Sequence, residues 1–205
     1  MDLVDVYVKR RSVNFFEKGK EIPQETLEKI INTAVLAPSA FNLQPWEIIV
    51  VKSESNKEKL FNLANKQPKI LESSVTLMIV GNREGYATSS PVWKEMLSSM
   101  GGNKEAVTGA QNAAGFLYGS SELRKIKFAE SNCGILAMSI MYAATHYGVD
   151  SHPMSGVDFE GIEKEFNLGE GKNLVMLITL GYYDKRKSLY PRRPRRLYGD
   201  IVKEI

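Results

Sequence analysis

Residues 37–46 read Ala37-Pro38-Ser39-Ala40-Phe41-Asn42-Leu43-Gln44-Pro45-Trp46. They separate an amphipathic helical pattern from a β-branched run, and this alternation sets the fold class. A helix-to-strand connection needs one or two turn residues. This one carries two prolines, a serine, an asparagine, a glutamine and a tryptophan. The prolines fix φ and stiffen the segment. Loops held by rigid elements are where binding groups concentrate, and a stiff loop rich in amide and hydroxyl groups suits the edge of a flat heteroaromatic ligand.

Upstream, Pro23-Gln24-Glu25 is a good helix start, since proline suits the first turn and acid the dipole. Leu27, Ile30, Ile31, Ala34 and Val35 follow at helical spacing. The helix must end before Pro38. A short helix over residues 2–10 precedes it. Downstream, Glu47 to Lys52 reads as a buried strand, Lys57 to Ala64 as a helix, and Val75 to Val80 as a second strand closed by Gly81-Asn82. Residues 83–128 carry scattered glycines and read as short helices around a lid-like excursion rather than core. Tyr86, Trp93, Met96, Phe116 and Tyr118 are placed by position as an apolar substrate wall there. Glu130 to His146 is the longest helix. It is apolar on one face through Cys133, Leu136, Ala137, Ile140, Met141 and Ala144, and on the others through Ile135, Met138 and Tyr142. Such a helix is buried centrally or in a subunit interface. Gly148 ends it, Asp158 caps a short helix, and Leu174 to Leu180 is the third strand. Strands interleaved with helices around a long apolar helix fit one three-layer α+β domain.

With 205 residues, 43% of them hydrophobic and 25% charged, the chain is long enough for one substantial core. No apolar run reaches bilayer length, and the Met-Asp-Leu-Val-Asp start has no basic n-region. One cysteine, Cys133, permits no internal disulfide, and no Cys/His spacing suits a metal. A cytoplasmic protein without membrane or metal is therefore expected. The net charge of +3 is unevenly placed, because residues 185–196 hold Lys185, Arg186, Lys187, Arg192, Arg193, Arg195 and Arg196. Such a run is either a solvated tail or a phosphate or nucleic-acid site.

Arg10-Arg11-Ser12 follows the first helix. Two guanidinium groups and a hydroxyl make a compact anion site, or else a cationic helix end. If the tail met this cluster, both would clamp one phosphate. No Ser-His-Asp or Cys-His set is visible, and no G-x-G-x-x-G follows a strand. Cys133 and Trp46 read as core, His146 as a helix end, and His152 and Phe41 as candidates for the substrate side.

Taken together, Arg10-Arg11-Ser12, the Ala37–Trp46 loop, the segment His152-Pro153-Met154-Ser155-Gly156-Val157-Asp158 and the basic tail resemble the nitroreductase family of FMN-dependent oxidoreductases. The resemblance covers nearly the whole chain. It implies a nitroreductase-like three-layer α/β/α sandwich, with a central mixed, mainly antiparallel sheet flanked by helices. It also implies an intertwined homodimer with FMN at the subunit interface and residues 185–205 reaching the partner. By the same resemblance Arg10, Arg11 and Ser12 bind the FMN phosphate and ribityl chain. Pro38, Ser39 and Asn42, with Gln44 beside them, contact the isoalloxazine from the other subunit. Pro153, Met154, Ser155 and Gly156 lie near flavin N5, Gln67 and Lys69 reach the ring, and Arg193 and Arg195 close on the phosphate.

One departure stands at Asn14, where similar proteins often carry a lysine or arginine beside the flavin N1/O2 edge. Asparagine donates a hydrogen bond but brings no charge, which lowers the potential unless Lys69 supplies it. The implied activity is hydride transfer from NAD(P)H through flavin N5 to a small organic acceptor such as a nitroaromatic or quinone, in a ping-pong sequence. The chemistry resides on the flavin and needs no catalytic side chain. Dehalogenation, azoline oxidation and flavin fragmentation are alternatives on the same fold. From a different class, phosphate or nucleic-acid binding through the tail is the rival.

Overall fold

The computed structural model describes residues 2–205. The elements run α1 (Leu3–Lys9), α2 (Gln24–Ala34), a 3-10 turn (Ala40–Asn42), β1 (Trp46–Val51), α3 (Glu54–Leu63), α4 (Lys69–Glu72) and β2 (Val75–Asn82). They continue with α5 (Val92–Ser99), α6 (Lys104–Tyr118), α7 (Glu122–His146), β3 (Asp150–Met154), α8 (Phe159–Glu165), β4 (Lys172–Gly181) and α9 (Tyr198–Ile201). No helix among the described residues is long and apolar enough to cross a membrane.

The four strands form one sheet in the order β1-β2-β4-β3. Every neighbouring pair is antiparallel, which corrects the expectation of a mixed sheet. Among the described residues the parallel component is a single bridge, Ser12 to Ser151.

Alternation along the central strands builds two cores. Leu77 and Ile79 of β2, with Ile178 and Leu180 of β4, face α2 and α7. Met78 and Val80, with Leu174 and Leu177, face α3, α4 and α8 through Leu60, Ile70 and Ile162. Helices thus cover both faces of the sheet, giving three layers. Leu174 and Leu177 share a face despite an odd spacing because a bulge at Ile79/Val80 shifts the register. Each fully buried Leu or Ile contributes about 1.5–3 kcal/mol.

Three expectations need correction. The sequence shows three strands, but β3 is a fourth: Asp-Ser-His-Pro-Met lacks a β-branched run, and Pro153 is tolerated because β3 is an edge. The second strand does not close at Gly81-Asn82 but runs through them. A Cβ at Gly81 would stand 3.0 Å from the Ala129 Cβ of α7, so glycine here lets helix and sheet approach rather than marking a turn. Residues 83–128 are not a coreless lid. They hold the 15-residue α6 and, around Leu43 of the loop, a satellite core of Trp93, Val107, Ala114 and Phe128. Trp93 is buried with its indole N–H donating to the Ala87 carbonyl at 2.8 Å, so it is not a substrate wall.

The long helix begins eight residues earlier than the apolar pattern shows. Ser121 caps it by accepting from the Arg124 N–H at 3.3 Å. Cys133, Leu136, Ala137, Ile140 and Ala144 are buried in it, whereas Ile135 remains 45% exposed. Burial pushes the Cys133 thiol up to about 12, which leaves it an inert packing group. Trp46 packs against the same core. His146 lies exposed in the last turn of α7.

Candidate functional site

The free edge of β3 organises one cluster. β3 pairs with β4 on one side. On the other, among the described residues, it meets the segment after α1, through the Ser12–Ser151 bridge and a Val13 N–H that donates to the Ser151 carbonyl at 3.0 Å. This pairing carries Arg10, Arg11, Ser12 and Asn14 to the edge where His152 and Pro153 lie. His152 Nδ1 is 3.0 Å from the Val13 carbonyl oxygen. A carbonyl only accepts, so Nδ1 carries the proton and Nε2 is left as an acceptor. Burial first, then Lys69 and Arg10, push His152 down from 6.5 to about 4, against the opposing pull of the Val13 carbonyl. The imidazole is neutral at ordinary pH. Met154 turns its side chain into the core and offers only backbone to the edge.

Beyond Met154 the chain is held by side-chain amides. Asn65 Nδ2 donates to the Gly156 carbonyl at 2.9 Å, and Gln67 Nε2 donates to the same oxygen at 3.2 Å. Lys69 Nζ donates to Gln67 Oε1 at 2.9 Å. Burial lowers the pKa of this ammonium, and Lys69 forms no ion pair among the described residues. Asn65 and Lys66 both have φ of 52°, the left-handed region. The turn between α3 and α4 is therefore strained so that its amides reach Gly156. Ser155 and Gly156 stay exposed.

The two basic clusters meet. An Arg192 NH2 donates to the Val8 carbonyl at 2.6 Å and the Arg10 carbonyl at 3.0 Å, while an Arg11 NH2 donates to the Tyr190 carbonyl at 2.6 Å. Desolvation lowers the Arg10 pKa, with Arg192, Arg195 and Arg11 adding like-charge repulsion. Arg195 NH1 donates to the Arg193 carbonyl at 2.8 Å, and Arg192 is the tail arginine whose guanidinium bonds the Arg10 carbonyl. None of these arginines pairs with a carboxylate among the described residues. Crowded guanidinium groups without counter-ions fit a phosphate.

The Ala37–Trp46 loop forms a second group. Its Phe41, Asn42 and Gln44 have φ of 52°, 54° and 47°. Ser39 Oγ accepts from the Gln44 N–H at 3.0 Å, and Asn132 Oδ1 of α7 accepts from the Ala40 N–H at 2.9 Å. Leu43 anchors the loop in the satellite core, and Phe41 meets Tyr118 edge-on at 6.2 Å. Pro38 and Asn42 remain exposed. Among the described residues no hydrogen bond joins this loop to Arg10–Asn14 or Pro153–Gly156. The expected ligand contacts thus fall in two groups that are not hydrogen-bonded to each other among the described residues. Sequence reading singled out neither Asn65 nor Asn132, and named Arg192 only as a member of the basic run. A signal existed for two of them: asparagine is enriched at left-handed positions, and Asn132 interrupts an apolar helix.

A model of the family described as the nitroreductase family matches residues 7–182. MhqN of Bacillus subtilis, named as an NAD(P)H nitroreductase, is 33% identical over 195 residues, covering 94% of each chain. The crystal structure of ydfN of Bacillus subtilis, named as a nitroreductase, superposes with a TM-score of 0.90 at 31% identity over 98% of each chain. That of a Staphylococcus epidermidis protein named as an NAD(P)H:FMN oxidoreductase gives 0.88 at 25% identity, over 100% of this chain and 96% of that one. On sequence and structure alike, the chain belongs to the nitroreductase family.

Proposed function

We propose that the protein is an FMN-dependent NAD(P)H oxidoreductase acting on a small organic acceptor such as a quinone or nitroaromatic, as a homodimer with two shared sites. The observation that carries this reading is the β3 edge itself. At one end lies an arginine cluster without carboxylates. At the other, the exposed Ser155-Gly156 backbone is fixed by Asn65 and Gln67. An elongated ligand with a phosphate at one end and a flat ring at the other matches that sequence of groups. The names of the relatives, NAD(P)H nitroreductase and NAD(P)H:FMN oxidoreductase, support the same cofactors.

When bound, FMN supplies a two-electron hydride carrier at N5, which makes a protein nucleophile unnecessary. The protein's own work is binding and electrostatics. Arg10, Arg11, Arg192 and Arg195 hold the phosphate. Neutral His152 accepts through Nε2, so it adds no charge beside Lys69. Lys69 donates to Gln67 and Asn14 brings no charge, so the charge that stabilises a reduced, anionic ring falls to Lys69. The second half-site, Pro38, Ser39 and Asn42, is supplied by a partner copy.

Colour tests the proposal. Purified protein is expected to be yellow, to release FMN on denaturation and to oxidise NADH or NADPH with menadione. A colourless protein that does not bind added FMN overturns it.

A further inference from the structure

A cavity of about 410 Å³ opens on the outer face of α7. Arg124, Lys127, Phe128, Ser131 and Asn132 recur along it at helical spacing. Leu117 and Tyr118 of α6 form the opposite wall, and Ala40 of the loop closes the far end. Its chemistry changes along its length. At one end Arg124 and Lys127 stand exposed, one turn apart, and neither forms an ion pair among the described residues. Lys125 between them differs: Glu84 at 2.6 Å and Glu122 at 3.1 Å neutralise it. In the middle, Tyr118 and Phe128 stack at 4.4 Å and Leu117 is 40% exposed. The far end is the Asn132–Ala40 hydrogen bond that anchors the loop.

Arg124 and Lys127 project from one face of α7 one turn apart, with no carboxylate paired to either among the described residues. Like charges one turn apart repel, and an anion between them would relieve that repulsion. The adjoining wall is aromatic and apolar. Arg124 and Asn132 are eight residues apart on the helix, about 12 Å at 1.5 Å per residue.

We propose that this cavity binds the electron acceptor, and that the acceptor is an amphipathic anion. It has a flat conjugated body with its reducible end at Ala40 and a carboxylate or sulfonate on the order of 10 Å away, at Arg124 and Lys127. The inference rests on the flavin-enzyme reading and names its substrate class. The reaction balances without a further reagent. NAD(P)H gives two electrons and one proton as hydride, water gives the second proton, a quinone leaves as hydroquinone, and NAD(P)+ is released.

The test uses the FMN-loaded protein and a 1,4-naphthoquinone bearing a six-carbon carboxyalkyl chain, beside its methyl ester. The acid is expected to have a kcat/KM about ten-fold above the ester, shrinking as salt shortens the Debye length. In R124A/K127A the preference falls to near one, and in R124K it persists. Calorimetry with the redox-inert 6-(2-naphthyl)hexanoate and its methyl ester provides a readout independent of turnover and is expected to give the same order. Equal kcat/KM for acid and ester in the wild type, or a preference that survives in R124A/K127A, overturns the inference. So does failure of both naphthyl ligands to bind, as when a second copy covers this face. Absence of menadione turnover by the wild type refutes the flavin-enzyme reading instead, while the calorimetric arm still decides the anion site.

Discussion

His152 shows how one side chain reports the state of the β3 edge. Its Nδ1–H is fixed on the Val13 carbonyl, and burial beside Lys69 and Arg10 depresses it to about 4. The unfolded chain protonates the same imidazole near its ordinary 6.5. Between these values the unfolded state holds more protons, so this residue's contribution is complete above 6.5 and is lost as pH falls toward about 4. Urea unfolding at a series of pH values is expected to show that slope in the wild type and a shallower one in His152→Gln. Equal slopes would mean that the imidazole is not held neutral.

Asn65 supports a second prediction at this scale. It combines a left-handed backbone with an amide bonded to the Gly156 carbonyl. Asn65→Gly keeps the backbone and removes the amide, so it should weaken FMN binding by about 0.5–1.5 kcal/mol with little change in stability. Asn65→Ala also forces a Cβ into the left-handed region and should cost about 1 kcal/mol more in unfolding free energy. Fluorimetric FMN titration and denaturation of the two variants separate tether from turn.

At the scale of elements, α7 is the spine of the molecule, with both faces of its burden visible. Leu136 is fully buried against the sheet, whereas Leu123 is 76% exposed near the N-terminus. Leu136→Ala should therefore cost about 2–5 kcal/mol, and Leu123→Ala less than about 0.5 kcal/mol, measured by denaturant unfolding. The same helix shows what sequence can and cannot tell. Its apolar half, from Cys133 to Ala144, is legible because burial writes a periodic stripe. Its first eight residues are not, because only Phe128 and Ala129 reach a core there and the remaining positions are solvated or ion-paired. β1, β2 and β4 announce themselves through β-branched runs, while β3 is hidden by being short, polar and at an edge. The basic cluster at Arg10–Ser12 is visible as a motif. Its junction with Arg192 joins residues 182 apart, and no spacing rule encodes such a contact.

For the whole molecule, the decisive feature is that no hydrogen bond among the described residues joins the two groups of predicted flavin contacts within one chain. The loop is tied to α7 and the satellite core, and the arginines and Gly156 to the β3 edge. Leu3, Val4, Tyr7 and Val8 of α1, with Leu197, Tyr198 and Ile201 of the tail, leave apolar surface exposed beside the arginine cluster, as expected of a face that a second copy covers. A two-fold dimer would bring the loop of each chain to the β3 edge of the other and make two identical sites. This arrangement has a consequence that no single-chain site shares. R10A/R11A removes the phosphate half, and S39A/N42G removes the loop half while glycine keeps the left-handed φ of 54° at residue 42. Each variant alone is expected to show little NADH–menadione activity. Refolded together, half of the dimers pair one chain of each kind, and in each of these one site draws both intact halves. Activity should then return to about a quarter of the wild-type value per site, from the statistics of random pairing in a two-fold dimer. If each site lay within one chain, mixing would restore nothing, because every chain in the mixture carries a lesion.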